Sequence, residues 1–161
     1  MTQSYSSVTF SRSLMKTEPV SPARILLVDD NPHGLVARRM ILEEQGYGVE
    51  TALSGEEAWQ RFQKTQFDVV VTDFRMGEMD GLQLIRLIRA TQSPVRIVLL
   101  SGFVECLGMT EESTGADEVL AKSNKEVQDL LRAIKKLAVN PPRRGAVSAR
   151  SLQTKKAGRA V

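Results

Sequence analysis

The chain holds one cysteine, Cys106, and one histidine, His33, among 161 residues. A lone cysteine excludes an internal disulfide framework and a cysteine-based zinc site, and it fits a reducing, cytoplasmic setting. Aromatic residues are scarce at 5%, whereas the 42% hydrophobic content is that of a normal globular core. No apolar run approaches the length of a membrane span, and the opening residues lack the apolar segment of a secretory signal. Neither a Gly-rich Walker loop nor a dinucleotide fingerprint is present, so a nucleotide-binding role finds no support.

What is present divides unevenly. Residues 1–23 carry six serines, two prolines, two basic groups and one acid, which predicts a flexible extension. Residues 139–161 carry six basic groups and no acid. That stretch can meet nucleic acid, a membrane or an acidic protein, but its composition predicts a solvated, disordered tail over 140–161. The part between has 14 basic and 18 acidic residues and is mildly acidic, so the net charge of +3 belongs to the tail. One domain, 24–139, is expected.

Within it, short apolar runs alternate with amphipathic stretches. Strands are predicted at Arg24 to Val28, Tyr47 to Thr51, Phe67 to Thr72, Val95 to Leu100 and Asp117 to Ala121. Asn31-Pro32 opens a helix carrying Leu35, Val36, Met40, Ile41 and Leu42, which Gly46 ends in a left-handed cap. Ser54 to Glu57 is a capping box before Ala58, Trp59 and Phe62. Gly81 to Ala90, Phe103 to Thr114 and Asn124 to Val139 complete five helices, the fourth interrupted by Gly108 and patchy in its apolar spacing. His33 is expected on the surface early in the first helix. Continuous apolar strands alternating with helices imply an α/β fold with a parallel sheet covered on both faces. The expected architecture is flavodoxin-like and doubly wound, five strands in the order 2-1-3-4-5.

Four of the apolar runs end in polar residues of different kinds. Asp29 and Asp30 follow the first strand, Asp73 ends the third, Ser101 follows the fourth and Lys122 the fifth. In this topology they converge on one sheet edge. Converging carboxylates repel one another unless a cation sits among them, and acidic oxygens without His or Cys suit Mg2+. A carboxylate beside Mg2+ can attack phosphorus and form an aspartyl phosphate. Lys122 supplies a point charge and Ser101 a hydroxyl donor for phosphoryl oxygens, and Gly102 leaves the mouth open.

Asp29-Asp30, the loop Asp73 to Gly81, Ser101-Gly102 and Lys122 together resemble the receiver domain of bacterial two-component response regulators. The resemblance covers Arg24 to Val139, the whole globular part. It implies that Asp73 is the phosphoacceptor and that the donor is a phosphohistidine on a sensor histidine kinase or a histidine phosphotransfer protein. Asp30, Asp73 and the carbonyl of Arg75 are then the Mg2+ ligands, with Asp29 helping through water, while Ser101 and Lys122 contact the phosphoryl group. Such a chain catalyses only its own phosphorylation and dephosphorylation.

The sequence departs from that pattern in three places. Gly77 and Ser123 stand where proline is usual, and Val119 replaces the usual aromatic switch residue. With valine there, the output needs another device, and the interrupted segment after Phe103 is a candidate. Arg75 and Phe103 are expected to limit the attack of water on the phosphate. The residues after the last helix are too few for a DNA-binding module, so a stand-alone receiver is expected. It would act on a downstream target through its fourth helix, fifth strand and fifth helix, or relay phosphate onward. The alternative is an interaction module of receiver fold that no longer depends on phosphate. A hydrolase resembling haloacid dehalogenases needs a second Asp two residues after the nucleophile, and Arg75 occupies that position.

Overall fold

A strand buried on both faces has no polar side to alternate with, and the central strands here read accordingly. In the computed structural model, which describes residues 21–139, β1 (Arg24–Val28), β2 (Gly48–Ala52), β3 (Val69–Asp73), β4 (Arg96–Ser101) and β5 (Glu118–Ala121) form one parallel sheet. Its order is β2-β1-β3-β4-β5, the doubly wound arrangement expected. The proposed disordered tail and most of the proposed N-terminal extension lie outside the described residues.

Alternate side chains of each strand feed two cores. Leu26, Val28, Val70, Ile97 and Leu99 point to one face, and Ile25, Leu27, Val69, Val71, Val98 and Leu100 to the other. Helices α2 (Gly55–Lys64) and α3 (Gly81–Ala90) cover the first face with Ala58, Leu84, Ile85 and Ile88. Helices α1 (Pro32–Glu44) and α6 (Glu126–Ala138) cover the second with Leu35, Leu42, Leu130, Ala133 and Ile134. Each fully buried aliphatic side chain contributes about 2 kcal/mol relative to exposure.

The helix boundaries follow local chemistry. Asn31 Oδ1 accepts the N–H groups of His33 and Gly34, and Gly46 ends the first helical segment at φ 87°. Ser54 Oγ accepts the Glu57 N–H at 3.1 Å, but the return arm of the expected box goes to the Leu53 N–H. Asp80 and Gln83 make a complete reciprocal box at the start of α3. One expectation needs correction. The single fourth helix is two short helices, α4 (Val104–Leu107) and α5 (Glu111–Thr114), giving six helices. Gly108 adopts φ 58° and stops the first, while extended Thr110 caps the second. On α1, Val36 and Met40 are exposed, and Leu35 and Leu42 are the apolar residues buried on the inward stripe.

The edge of the sheet far from the strand ends is held by ions. Arg89 donates to Gly115 O, Val95 O and Asp117, and Asp117 also accepts the Ile97 N–H and pairs with Arg96. Burial pushes the Asp117 carboxyl up, but the Ile97 N–H and the two arginines outweigh it and hold the group below the usual carboxylate range. A depressed pKa supplies stability above the unfolded value, and that stability is lost as pH falls through the folded one. Asp117→Ala is therefore expected to cost about 2 kcal/mol near neutrality. In urea titrations at several pH values, its deficit against the native chain shrinks in acid.

Candidate functional site

The parallel register delivers the ends of β1, β3, β4 and β5 to one edge. Asp29 directly follows β1 and is buried, Asp30 is exposed, and Asp73 closes β3 at 7% exposure. Carboxylate oxygens of these three residues lie within 4.8 Å of one another. Such crowding is unfavourable for three ionised groups, and cations already stand against it. Lys122 Nζ is 2.9 Å from Asp73 Oδ1 and 4.0 Å from Asp29 Oδ2. The all-oxygen donor set fits a hard divalent cation.

Asp73 is held and oriented. Its Oδ1 takes both the Phe74 N–H, at 2.9 Å, and the Lys122 ammonium. Neither of these contacts engages Oδ2. Burial pushes the carboxyl up, Lys122 opposes this, and Asp29 adds to the rise. Ser101 is fully buried at the end of β4 and accepts the Phe103 N–H through its Oγ at 2.9 Å, which leaves its own O–H to donate. Its carbonyl accepts the Lys122 N–H at 2.9 Å, tying the two strand ends together.

The loop after Asp73 turns back tightly. The Gly81 N–H bonds to Phe74 O at 2.8 Å, and a Cβ on Gly81 would stand 2.2 Å from Asp73 O. Arg75 is exposed and places its guanidinium 4.2 Å from the centre of the Phe103 ring, which meets Phe74 edge-on at 6.3 Å. These three side chains join the loops that carry Asp73 and Ser101. Val119 is half-buried against the core on the α2 and α3 side, with no polar tip to expose. His33 is exposed, as expected.

All six expected site residues thus lie on the loops and strand ends of this edge. Arg38 and Glu126 were not among the expected ones. Arg38 Nη1 is 2.5 Å from Asp29 Oδ2, and its Nη2 is 2.5 Å from Glu126 Oε1. The signal was its spacing: position 38 lies three after Leu35 and four before Leu42, on the buried stripe where a cation needs partners.

A doubly wound parallel sheet with acids, a hydroxyl and a lysine at its carboxyl edge defines an α/β domain of the receiver class. Residues 25–135 match the model of the response regulator receiver domain. The chain belongs to that family, the receiver domains of two-component response regulators. It is 30% identical over 132 residues to a gliding motility regulatory protein of Myxococcus xanthus, covering 79% of this chain and 17% of that one. It is 40% identical over 80 residues to the transcriptional regulatory protein GlrR of Escherichia coli, covering 50% of this chain and 18% of that one. The chain therefore spans less than a fifth of either relative. Among solved structures it resembles the response regulator TrrA of Thermotoga maritima in complex with Mg2+ and BeF, at 34% identity and TM-score 0.64, over 71% of this chain and 98% of that one. The chemotaxis response regulator CheY4 of Vibrio cholerae matches at 28% identity and TM-score 0.65, over 72% and 98%. Among the described residues no helix is long and apolar enough to cross a membrane.

Proposed function

We propose that residues 24–139 form a receiver that accepts a phosphoryl group on Asp73. The donor is a phosphohistidine of a sensor histidine kinase or a histidine phosphotransfer protein. An Asp73 oxygen bonds to phosphorus as the N–P bond breaks, and the departing imidazole takes a proton from solvent. Hydrolysis later returns the carboxylate and inorganic phosphate. The observation that carries this reading is the Lys122 ammonium on Asp73 beside two further carboxylates. Asp30, Asp73 and the Arg75 carbonyl would hold Mg2+, with Asp29 assisting. That ion supplies charge neutralisation for phosphoryl oxygens. Lys122 and the free O–H of Ser101 bind the remaining oxygens. The receiver catalyses only its own phosphorylation and dephosphorylation.

The state of Asp73 reaches a downstream protein by population shift. The Ser101 hydroxyl accepts the Phe103 N–H, so movement of Ser101 toward phosphate pulls on the start of α4. Two four-residue helices separated by Gly108 are easily displaced. This route substitutes for the missing aromatic at Val119.

The test is intact mass after incubation with acetyl phosphate and Mg2+. The native chain gains one phosphoryl group, and Asp73→Asn gains none. If neither acetyl phosphate nor a phosphohistidine donor labels the native chain, the phosphate-independent interaction module takes its place, a reading that Val119 favours.

Arg75 packed on Phe103 shields this edge from water. Arg75→Ala is expected to shorten the life of the phosphorylated chain roughly two- to fivefold, the factor that a lost exposed cation–π contact converts to. Release of inorganic phosphate over time reads this directly, and an unaltered rate removes Arg75 from that role.

A further inference from the structure

Arg38 is a cation in a place built for an aliphatic side chain. It shares the inward stripe of α1 with Leu35 and Leu42, and its neighbours across the α1–α6 seam are Val127, Leu130 and Leu131. Only 11% of its side chain is exposed. Burial disfavours the charged form, yet the bonds to Glu126 and Asp29 more than compensate, so the guanidinium stays firmly protonated. Asp29 is equally committed. Its Oδ1 accepts the Asn31 N–H at 2.9 Å, and its Oδ2 takes Arg38. Glu126, in the first turn of α6, binds the other side of the same guanidinium through Nε at 2.6 Å.

We propose that Arg38 is a positioning residue that sets how tightly the acidic site binds a divalent cation, by competing for Asp29, and that Glu126 governs the competition. This rests on the reading of Asp29, Asp30 and Asp73 as the cation site. A fixed positive charge on Asp29 relieves the repulsion among the three carboxylates while no metal is bound. The same charge opposes an arriving dication and occupies the oxygen that would turn toward it. Glu126 draws the guanidinium away from Asp29, so its charge favours the metal from a distance. The first turn of α6 is thereby tied to the metal site through one side chain.

The experiment is calorimetric titration of the full chain with MgCl2, without any phosphoryl donor. R38M keeps an unbranched apolar stem in the α1–α6 seam and removes the charge, and Mg2+ affinity is expected to rise on the order of tenfold. R38K keeps the charge and stays near the native value. E126Q leaves the guanidinium to Asp29 alone and weakens Mg2+ on the order of threefold; in the R38M background most of that effect disappears. A folded R38M chain with native or weaker affinity overturns the proposal. If R38M does not fold, native affinity in E126Q overturns it instead. Absence of any Mg2+ binding by the native chain overturns the cation-site reading, and the Arg38 proposal with it. Binding that none of the variants alters overturns the Arg38 proposal alone.

Discussion

Gly81→Ala loses about 3 kcal/mol of stability, and its thermal midpoint falls by roughly 10 °C. The reason is contact rather than conformational freedom. The added Cβ would sit 2.2 Å from Asp73 O and 3.1 Å from Asp73 C and Phe74 Cα, all of them backbone atoms that cannot swing aside. Either β3 or α3 must move. The end of β3 is fixed by its register with Leu100 and by the Phe74 N–H to Leu100 O bond of 2.8 Å. The start of α3 is fixed by the Asp80–Gln83 box and by Leu84 and Ile85 in the core. The strain therefore falls on the segment that orients the Asp73 carboxylate. Thermal unfolding followed by circular dichroism measures the loss. A variant as stable as the native chain would show that the loop yields more freely than its contacts imply. Phosphoryl acceptance is expected to fall more steeply than the folded fraction, because a displacement at Asp73 harms the chemistry before it unfolds the chain.

Lys122→Met accepts phosphate on the order of a hundredfold more slowly or worse, while the fold persists. Lys122 is the cation at 2.9 Å from Asp73, and it belongs to neither hydrophobic core. Its removal leaves the Asp73 carboxyl with burial and the Asp29 charge, both of which push its pKa up. The sign follows directly. The fraction of ionised Asp73 at a given pH falls, and the pH profile of phosphoryl acceptance moves to higher pH. Initial rates with acetyl phosphate at several pH values, with unfolding curves alongside, separate this from a folding defect. Native rates in a folded variant would remove Lys122 from the site.

The fold was legible because few solutions satisfy the pattern. Ile25 to Val28, Val69 to Val71 and Ile97 to Leu100 are runs without polar alternation, which only a doubly covered parallel strand tolerates. Sharp local signals placed the helix starts, as Asn31-Pro32 and Ser54 did, and the α3 range of Gly81–Ala90 was read to the residue. The segment after Phe103 was harder, since its two short helices turn on the backbone of Gly108 and the side chain of Thr110. No periodicity spans four residues.

The site divides in the same way. That Asp29, Asp30, Asp73, Ser101 and Lys122 share an edge follows from chain order alone, because right-handed crossovers leave one place for strand ends to meet. Which side chains touch depends on how the elements pack in three dimensions. That packing put Lys122 on Asp73, laid Arg75 over Phe103 and closed Arg38 between Asp29 and Glu126. Position 38 and position 126 are 88 residues apart, and no local rule relates them. They meet because two helices pack on one face of the sheet, and a charge caught in that seam must find its partners there.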